Sequence, residues 1–205
     1  MNIRNVYTAC ALGFGLLTLS VSCNNTNPSN QTSNATADHE SHDGHNHAPG
    51  EGHAETSAMQ APPAAPASTI PDFTFYVLKS GIRFNKEDLK RDGNIIFILF
   101  DPSCSHCQHE ARDLGEHYDR IKHTNIYFVS MNDPALMSTF FETFAKPLVD
   151  KDNITVLYDR NADFINNFHI PSQYPATYVY GADGQLKEHW SGTRDVNEVI
   201  DAMLK

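Results

Sequence analysis

Apolar and polar positions divide the chain into three stretches with different rhythms. Residues 1–22 carry one apolar run, with Ala9, Ala11, Leu12, Phe14, Leu16, Leu17 and Leu19 behind Arg4. Residues 24–69 are Asn, Ser, Thr, Ala, Gly and Pro, with almost no aliphatic or aromatic side chain before Ile70. Such a stretch cannot bury enough apolar surface to offset a chain entropy of about 1–2 kcal/mol per residue. From residue 70 to 205, short apolar runs alternate with helical spacings, which predicts a single folded domain.

Within 70–205 the pattern predicts a leading β-hairpin, with strands at 72–78 and 81–84 around Lys79-Ser80. Residues 94–100 are an unbroken apolar run, as expected for a strand buried on both faces. A helix is expected at about 104–122, a strand at 126–130, and a second helix opening at Pro134. Its apolar side would be Leu136, Met137, Phe140, Phe141 and Phe144. A strand at 155–158 and a short helix at 163–168 follow. Strands at 176–180 and 185–190 are joined by Asp183-Gly184, a hairpin signal. A helix at 195–204 closes the chain. The expectation is an α/β fold, a mixed sheet with helices on both faces.

Charge sharpens the division. The net charge of −10 combines five acids and no Lys or Arg in 24–69 with 20 acids and 14 bases in 70–205. That balance excludes a phosphate-neutralising surface, so nucleic acid is not an expected partner. Five of the 11 histidines (His39, His42, His45, His47 and His53) lie within 24–69.

The first stretch reads as a secretion signal: a positive start, an apolar run too short for a comfortable membrane span, and small residues before Cys23. Leu19-Ser20-Val21-Ser22-Cys23 resembles a bacterial lipobox, with Ser20 where that motif usually has Leu. The resemblance implies removal of 1–22 (with Cys10), lipid attachment at Cys23, and a cell-envelope lipoprotein facing the periplasm. Residues 23–69 would be its disordered tether, stiffened by Pro62, Pro63 and Pro66.

Chemistry is concentrated after the buried strand, in Asp101-Pro102-Ser103-Cys104-Ser105-His106-Cys107-Gln108-His109-Glu110. A strand, a turn, Cys-x-x-Cys and a helix place the first cysteine at a helix N-terminus. Free N–H groups and the helix dipole there stabilise a thiolate. Cys104 is the expected exposed, low-pKa nucleophile, and Cys107, a turn further on, the buried resolving thiol. His106, between them, favours the thiolate and therefore raises the reduction potential. A potential above the roughly −270 mV of thioredoxin is expected.

The segment 100–110, with Glu110 three residues after Cys107, resembles the thioredoxin superfamily. The closest likeness is to its extracytoplasmic TlpA/ResA-like thiol–disulfide oxidoreductases. The likeness extends to Gln173-Tyr174-Pro175-Ala176-Thr177-Tyr178-Val179-Tyr180, Ala182-Asp183-Gly184-Gln185 and Gly192. It implies a thioredoxin-like fold with an extra N-terminal hairpin, and a cis Pro175 facing the cysteine pair. The Tyr174 backbone would pair with a substrate segment. Two departures stand out: Ser103 replaces the Trp common before the first Cys, and Ile98 replaces the buried acid of thioredoxin. Glu110 is a candidate for that acid's role.

Other chemistries fit less well. A zinc site from Cys104, Cys107, His117 and His123 has too short a middle gap and leaves the Pro175 loop unexplained. Peroxiredoxins place Thr or Ser three positions before the reactive Cys, where Asp101 stands here. Copper-delivery proteins of the Sco type separate their cysteines by three residues rather than two. His117, His123, His169 and His189 are expected at or near the surface, and Trp190 in the core. The histidine tract could capture copper or zinc weakly, giving a metal-handling alternative. The leading expectation is a monomeric, membrane-anchored thiol–disulfide oxidoreductase without a diffusible cofactor. Its partners would be envelope protein thiols and disulfides and an upstream redox donor.

Overall fold

The computed structural model describes residues 64–205; the expected leader, Cys23 and the histidine tract lie outside the described residues. In chain order the elements are β1 (Thr74–Val77), β2 (Arg83–Asn85), β3 (Ile95–Leu99), α1 (Ser105–Glu116), α2 (Tyr118–Ile121), β4 (Asn125–Ser130), α3 (Pro134–Phe144), β5 (Ile154–Tyr158), β6 (Ala176–Tyr180), β7 (Leu186–Ser191) and α4 (Val196–Leu204). The strands form one mixed sheet in the order β2-β1-β5-β4-β3-β6-β7. The pairs β3–β4 and β4–β5 are parallel; all the others are antiparallel. The expected leading hairpin is present as β1–β2, and β1 also pairs with β5, which makes the hairpin an extension of the main sheet.

All five residues of β3 are buried, as their unbroken apolar run requires. Ile96, Ile98 and Phe100 pack with Leu114, Met137, Phe140, Val199 and Met203 on one face. Ile95, Phe97 and Leu99 pack on the other, following the period of two of a strand. Each such side chain contributes about 1.5–3 kcal/mol by leaving water. The two faces are covered differently. Side chains of α1, α2, α3 and α4 all pack on the first. The second is closed by the segment around Ile70–Phe75 and a single π-helical turn, Phe164–Phe168. The short helix expected at 163–168 is this turn, and stacked rings complete the cover, with Phe164 and Phe168 4.5 Å apart and Phe97 5.2 Å from Phe168. The buried Asp159 carboxylate accepts the N–H groups of Asp163 and Phe164, which starts that turn.

Three details differ from the pattern. The helix expected over 104–122 breaks at His117, whose ψ of 20° leaves the helical range. Gly115, in its last turn, weakens propagation by about 1 kcal/mol relative to alanine, and Pro147 packs directly on it. In α3, Met137, Phe140 and Phe141 are buried but Leu136 is 56% exposed. The spacing of 137, 140, 141 and 144 completes the buried stripe without it. The ordered body also begins before Ile70. Ala67 N–H donates to Phe168 O at 2.9 Å, and Leu186 N–H donates to Ser68 O at 2.8 Å. The first residues of the domain act as an added edge segment along β7.

Candidate active site

The site forms where the parallel strands end and β6 begins. Leu99 pairs with both Val129 and Ala176, so the turn after β3 and the loop before β6 lie side by side. In that turn the Asp101 carboxylate accepts from the Ser103 N–H at 2.7 Å and from its hydroxyl at 2.6 Å. Cys104 N–H donates to Asp101 O at 3.1 Å. Cys104 then occupies the N-cap of α1. The corresponding positions of α3 and α4 are Asp133 and Asp195, each accepting a first-turn N–H. Cys104 makes no such bond, so no capping side chain takes the first-turn donors of α1. They are available to negative charge at the sulfur.

The opposite wall is the loop before β6. The Tyr174–Pro175 peptide is cis, as the resemblance implies. The half-buried Cys104 thiol donates to Tyr174 O across 3.8 Å. Burial first, and then the nearby Asp101 and Cys107, push the Tyr174 phenol up. Gly192 anchors the loop by donating its N–H to Pro175 O at 2.8 Å. Its φ of 85° suits glycine, and a Cβ there would meet Gln173 Oε1 at 2.6 Å.

Behind the wall, Cys107 is 2% exposed. Burial pushes its thiol well above the ordinary range; Cys104 and Glu110 add to this, and the Asp101 backbone opposes it. Glu110, one turn further along α1, is 8% exposed, and neither of its carboxyl oxygens has a hydrogen-bond partner. Burial is the main cause of a carboxyl pushed up to about 7; Thr177 opposes the shift and Asp113 adds to it. The Thr177 hydroxyl lies beside the carboxyl without reaching hydrogen-bond geometry in this rotamer.

The fold therefore brings Ser103, Cys104, Cys107, Glu110, Tyr174 and Pro175 together. His106 is exposed on the first turn of α1. His117 bonds locally, its Nδ1 2.9 Å from Asp113 O, and His123 is exposed. Among the described residues no group of three or more His, Cys, Asp or Glu is placed to hold a metal. Cys23, His39, His42, His45, His47 and His53 lie outside the described residues. Sequence reasoning overlooked Asp101 as the anchor of Ser103, and it took Trp190 as plain core. Thr177 appeared only as part of the loop motif. A polar residue inside a strand otherwise apolar was the available signal. A concavity of about 480 Å³, lined in part by Val77, Phe141, Leu148 and Val156, contains neither cysteine.

Residues 66–189 match the AhpC/TSA family. No protein of curated function matches the chain. Among solved structures, a secreted Mycobacterium tuberculosis disulfide oxidoreductase is 21% identical over 64% of this chain and 93% of its own, with a TM-score of 0.51. An exposed lipoprotein thioredoxin from Streptococcus pneumoniae is 15% identical over 65% and 98%, with a TM-score of 0.51. A peroxidoxin from Mycobacterium tuberculosis is 14% identical over 68% and 96%, with a TM-score of 0.55. Identities this low establish the shared thioredoxin-like fold, which the mixed sheet and its flanking helices display.

Proposed function

The chain belongs to the AhpC/TSA family and is a thioredoxin-like oxidoreductase; from this premise we propose that it exchanges disulfides with proteins of the cell envelope through Cys104 and Cys107. The observation that carries this reading is the arrangement of the two sulfurs. Cys104 is half-buried at an uncapped helix N-terminus, 3.8 Å from the Tyr174 carbonyl, and Cys107 is buried behind it. An open site of this kind suits a protein segment laid along the loop before Pro175, with Ser103 and the Tyr174 backbone as its contacts.

In the reducing direction, the Cys104 thiolate attacks one sulfur of a substrate disulfide. The S–S bond breaks, a mixed disulfide forms, and the first substrate sulfur leaves as a thiolate that takes a proton from water. The Cys107 thiol then gives its proton to the Glu110 carboxylate and attacks the Cys104 sulfur. The second substrate thiolate departs, and the protein retains the Cys104–Cys107 disulfide. Two electrons have passed to the substrate, and an upstream dithiol donor must restore them. With an oxidant upstream, the same steps run in reverse.

Within the family we place the chain with the TlpA/ResA-like members rather than with peroxidases. The Asp101 carboxylate stands three residues before Cys104 and is engaged by Ser103. Its negative charge opposes the oxyanion that a cleaved peroxide would release. We further propose that Cys23 carries the lipid anchor and that residues 23–69 include the tether, on sequence grounds, with Ala67 and Ser68 at its end bonded to the domain. The reading is tested by following reduction of insulin disulfides and of hydrogen peroxide with dithiothreitol as donor. Fast insulin reduction, lost in Cys104→Ser, supports it; peroxide consumption without insulin reduction contradicts it.

A further inference from the structure

Among the described residues, the buried side-chain polar atoms without a partner are Glu110 Oε1 and Oε2, Thr177 Oγ1 and Trp190 Nε1. Thr177 adjoins each of the other two residues. Thr177 pairs across the sheet with Trp190, so the two side chains share a face. Glu110 reaches the same Thr177 from α1. Trp190 belongs to the core cluster that also contains Cys107. Exposure is 0% for Thr177, 6% for Trp190 and 8% for Glu110. Each unpaired buried group costs about 1–3 kcal/mol, and apolar residues of similar shape would remove that cost. Three such residues around one strand position, with Glu110 one helical turn from Cys107, point to a working group.

We propose that Thr177 and Trp190 are positioning residues for Glu110, forming with it a polar pocket behind Cys107 that sets the pH at which the carboxyl accepts and releases a proton. The inference rests on the reading above in which Glu110 takes the proton of Cys107. The threonine hydroxyl can donate to the carboxyl, and in that role it favours the carboxylate. The indole N–H only donates and therefore favours the carboxylate. Cys107 and Asp113 lie on the same helix as Glu110; Asp113 opposes its charge, and Glu110 in turn helps keep the Cys107 thiol protonated. Thr177 faces Glu110 from β6, with Trp190 beyond on β7. On the outer side, the Arg194 guanidinium covers the Trp190 ring at 4.4 Å and pairs with Glu188 at 2.8 Å.

The test uses the full-length reduced protein. Carbon-13 NMR follows the Glu110 carboxyl between pH 5 and 9, and fluorescence follows Trp190, the only tryptophan of the chain. The wild-type carboxyl midpoint should lie near 7, with Trp190 emission changing over the same range and losing that change in Glu110→Gln. Thr177→Val should increase the proton affinity of Glu110 at least threefold, and Thr177→Ser should restore it. Trp190→Phe should move the NMR midpoint in the same direction. A midpoint unchanged in folded Thr177→Val, or in Trp190→Phe if the first variant does not fold, overturns the proposal. Neither readout requires disulfide exchange. A protein that titrates as stated but exchanges no disulfides keeps this inference and loses the function; the converse result separates them equally.

Discussion

Thr177 on β6 stands directly opposite Ile98 on β3, the position where the resemblance would place thioredoxin's buried acid. The acid arrives instead from the helix, as Glu110 beside that threonine. A carboxyl pushed up to about 7 is half ionised near neutrality. Resolution of the mixed disulfide should therefore accelerate as pH rises through about 7, when Glu110 becomes able to take the Cys107 proton. Glu110→Gln should slow this step on the order of 10²-fold above pH 7 and flatten its profile. Stopped-flow measurement of substrate release from a preformed Cys104 mixed disulfide checks it.

The same group makes stability depend on pH. Its folded value lies above its ordinary 4.5, at about 7. Its contribution is thus fully present below pH 4.5 and is lost as pH rises through 7. At 1.36 kcal/mol per unit, the loss is at most about 3 kcal/mol. Glu110→Gln escapes it. Urea unfolding of the reduced protein should show the variant gaining on the wild type between pH 5 and pH 8.

His106 is exposed on the first turn of α1, two residues after Cys104. An imidazole there favours the thiolate and so the reduced protein. His106→Ala should lower the reduction potential by on the order of 30 mV, equivalent to about 1.4 kcal/mol. Equilibration with glutathione buffers measures it, and an unchanged potential removes His106 from the account.

Much of the fold is legible in the sequence because its strongest elements carry unambiguous patterns. The run 95–99 has one solution, a strand buried on both faces. Asp133-Pro134 and Asp195 mark the starts of α3 and α4 by capping. The cysteine pair, Glu110 and Pro175 are legible from spacing and family resemblance. What escapes depends on partners distant in sequence. The break at His117 involves Pro147 against Gly115. The cover over Phe97 comes from Phe73, Phe164 and Phe168, which meet only once the sheet closes. The polar pocket needs the register of Thr177 with Trp190, and a one-residue slip would turn those side chains to the opposite face.

The amino-terminal stretch carries its own predictions. Mass spectrometry of the membrane fraction should find lipid on Cys23, and Cys23→Ala should release the protein to the soluble fraction. Replacing His39, His42, His45, His47 and His53 with alanine in the full-length protein should abolish copper(II) binding at micromolar levels if the tract captures metal. A wild-type protein that binds neither copper(II) nor zinc at those levels removes the metal-handling role.

In the proposed cycle Cys104 attacks and Cys107 resolves. Its most direct test is to incubate reduced Cys107→Ala with a disulfide-linked peptide and map the adduct by mass spectrometry. A stable mixed disulfide on Cys104 is expected in this variant. In the wild type only released peptide thiols and a Cys104–Cys107 disulfide are expected. A Cys107→Ala protein that remains folded and forms no adduct at Cys104 would contradict it.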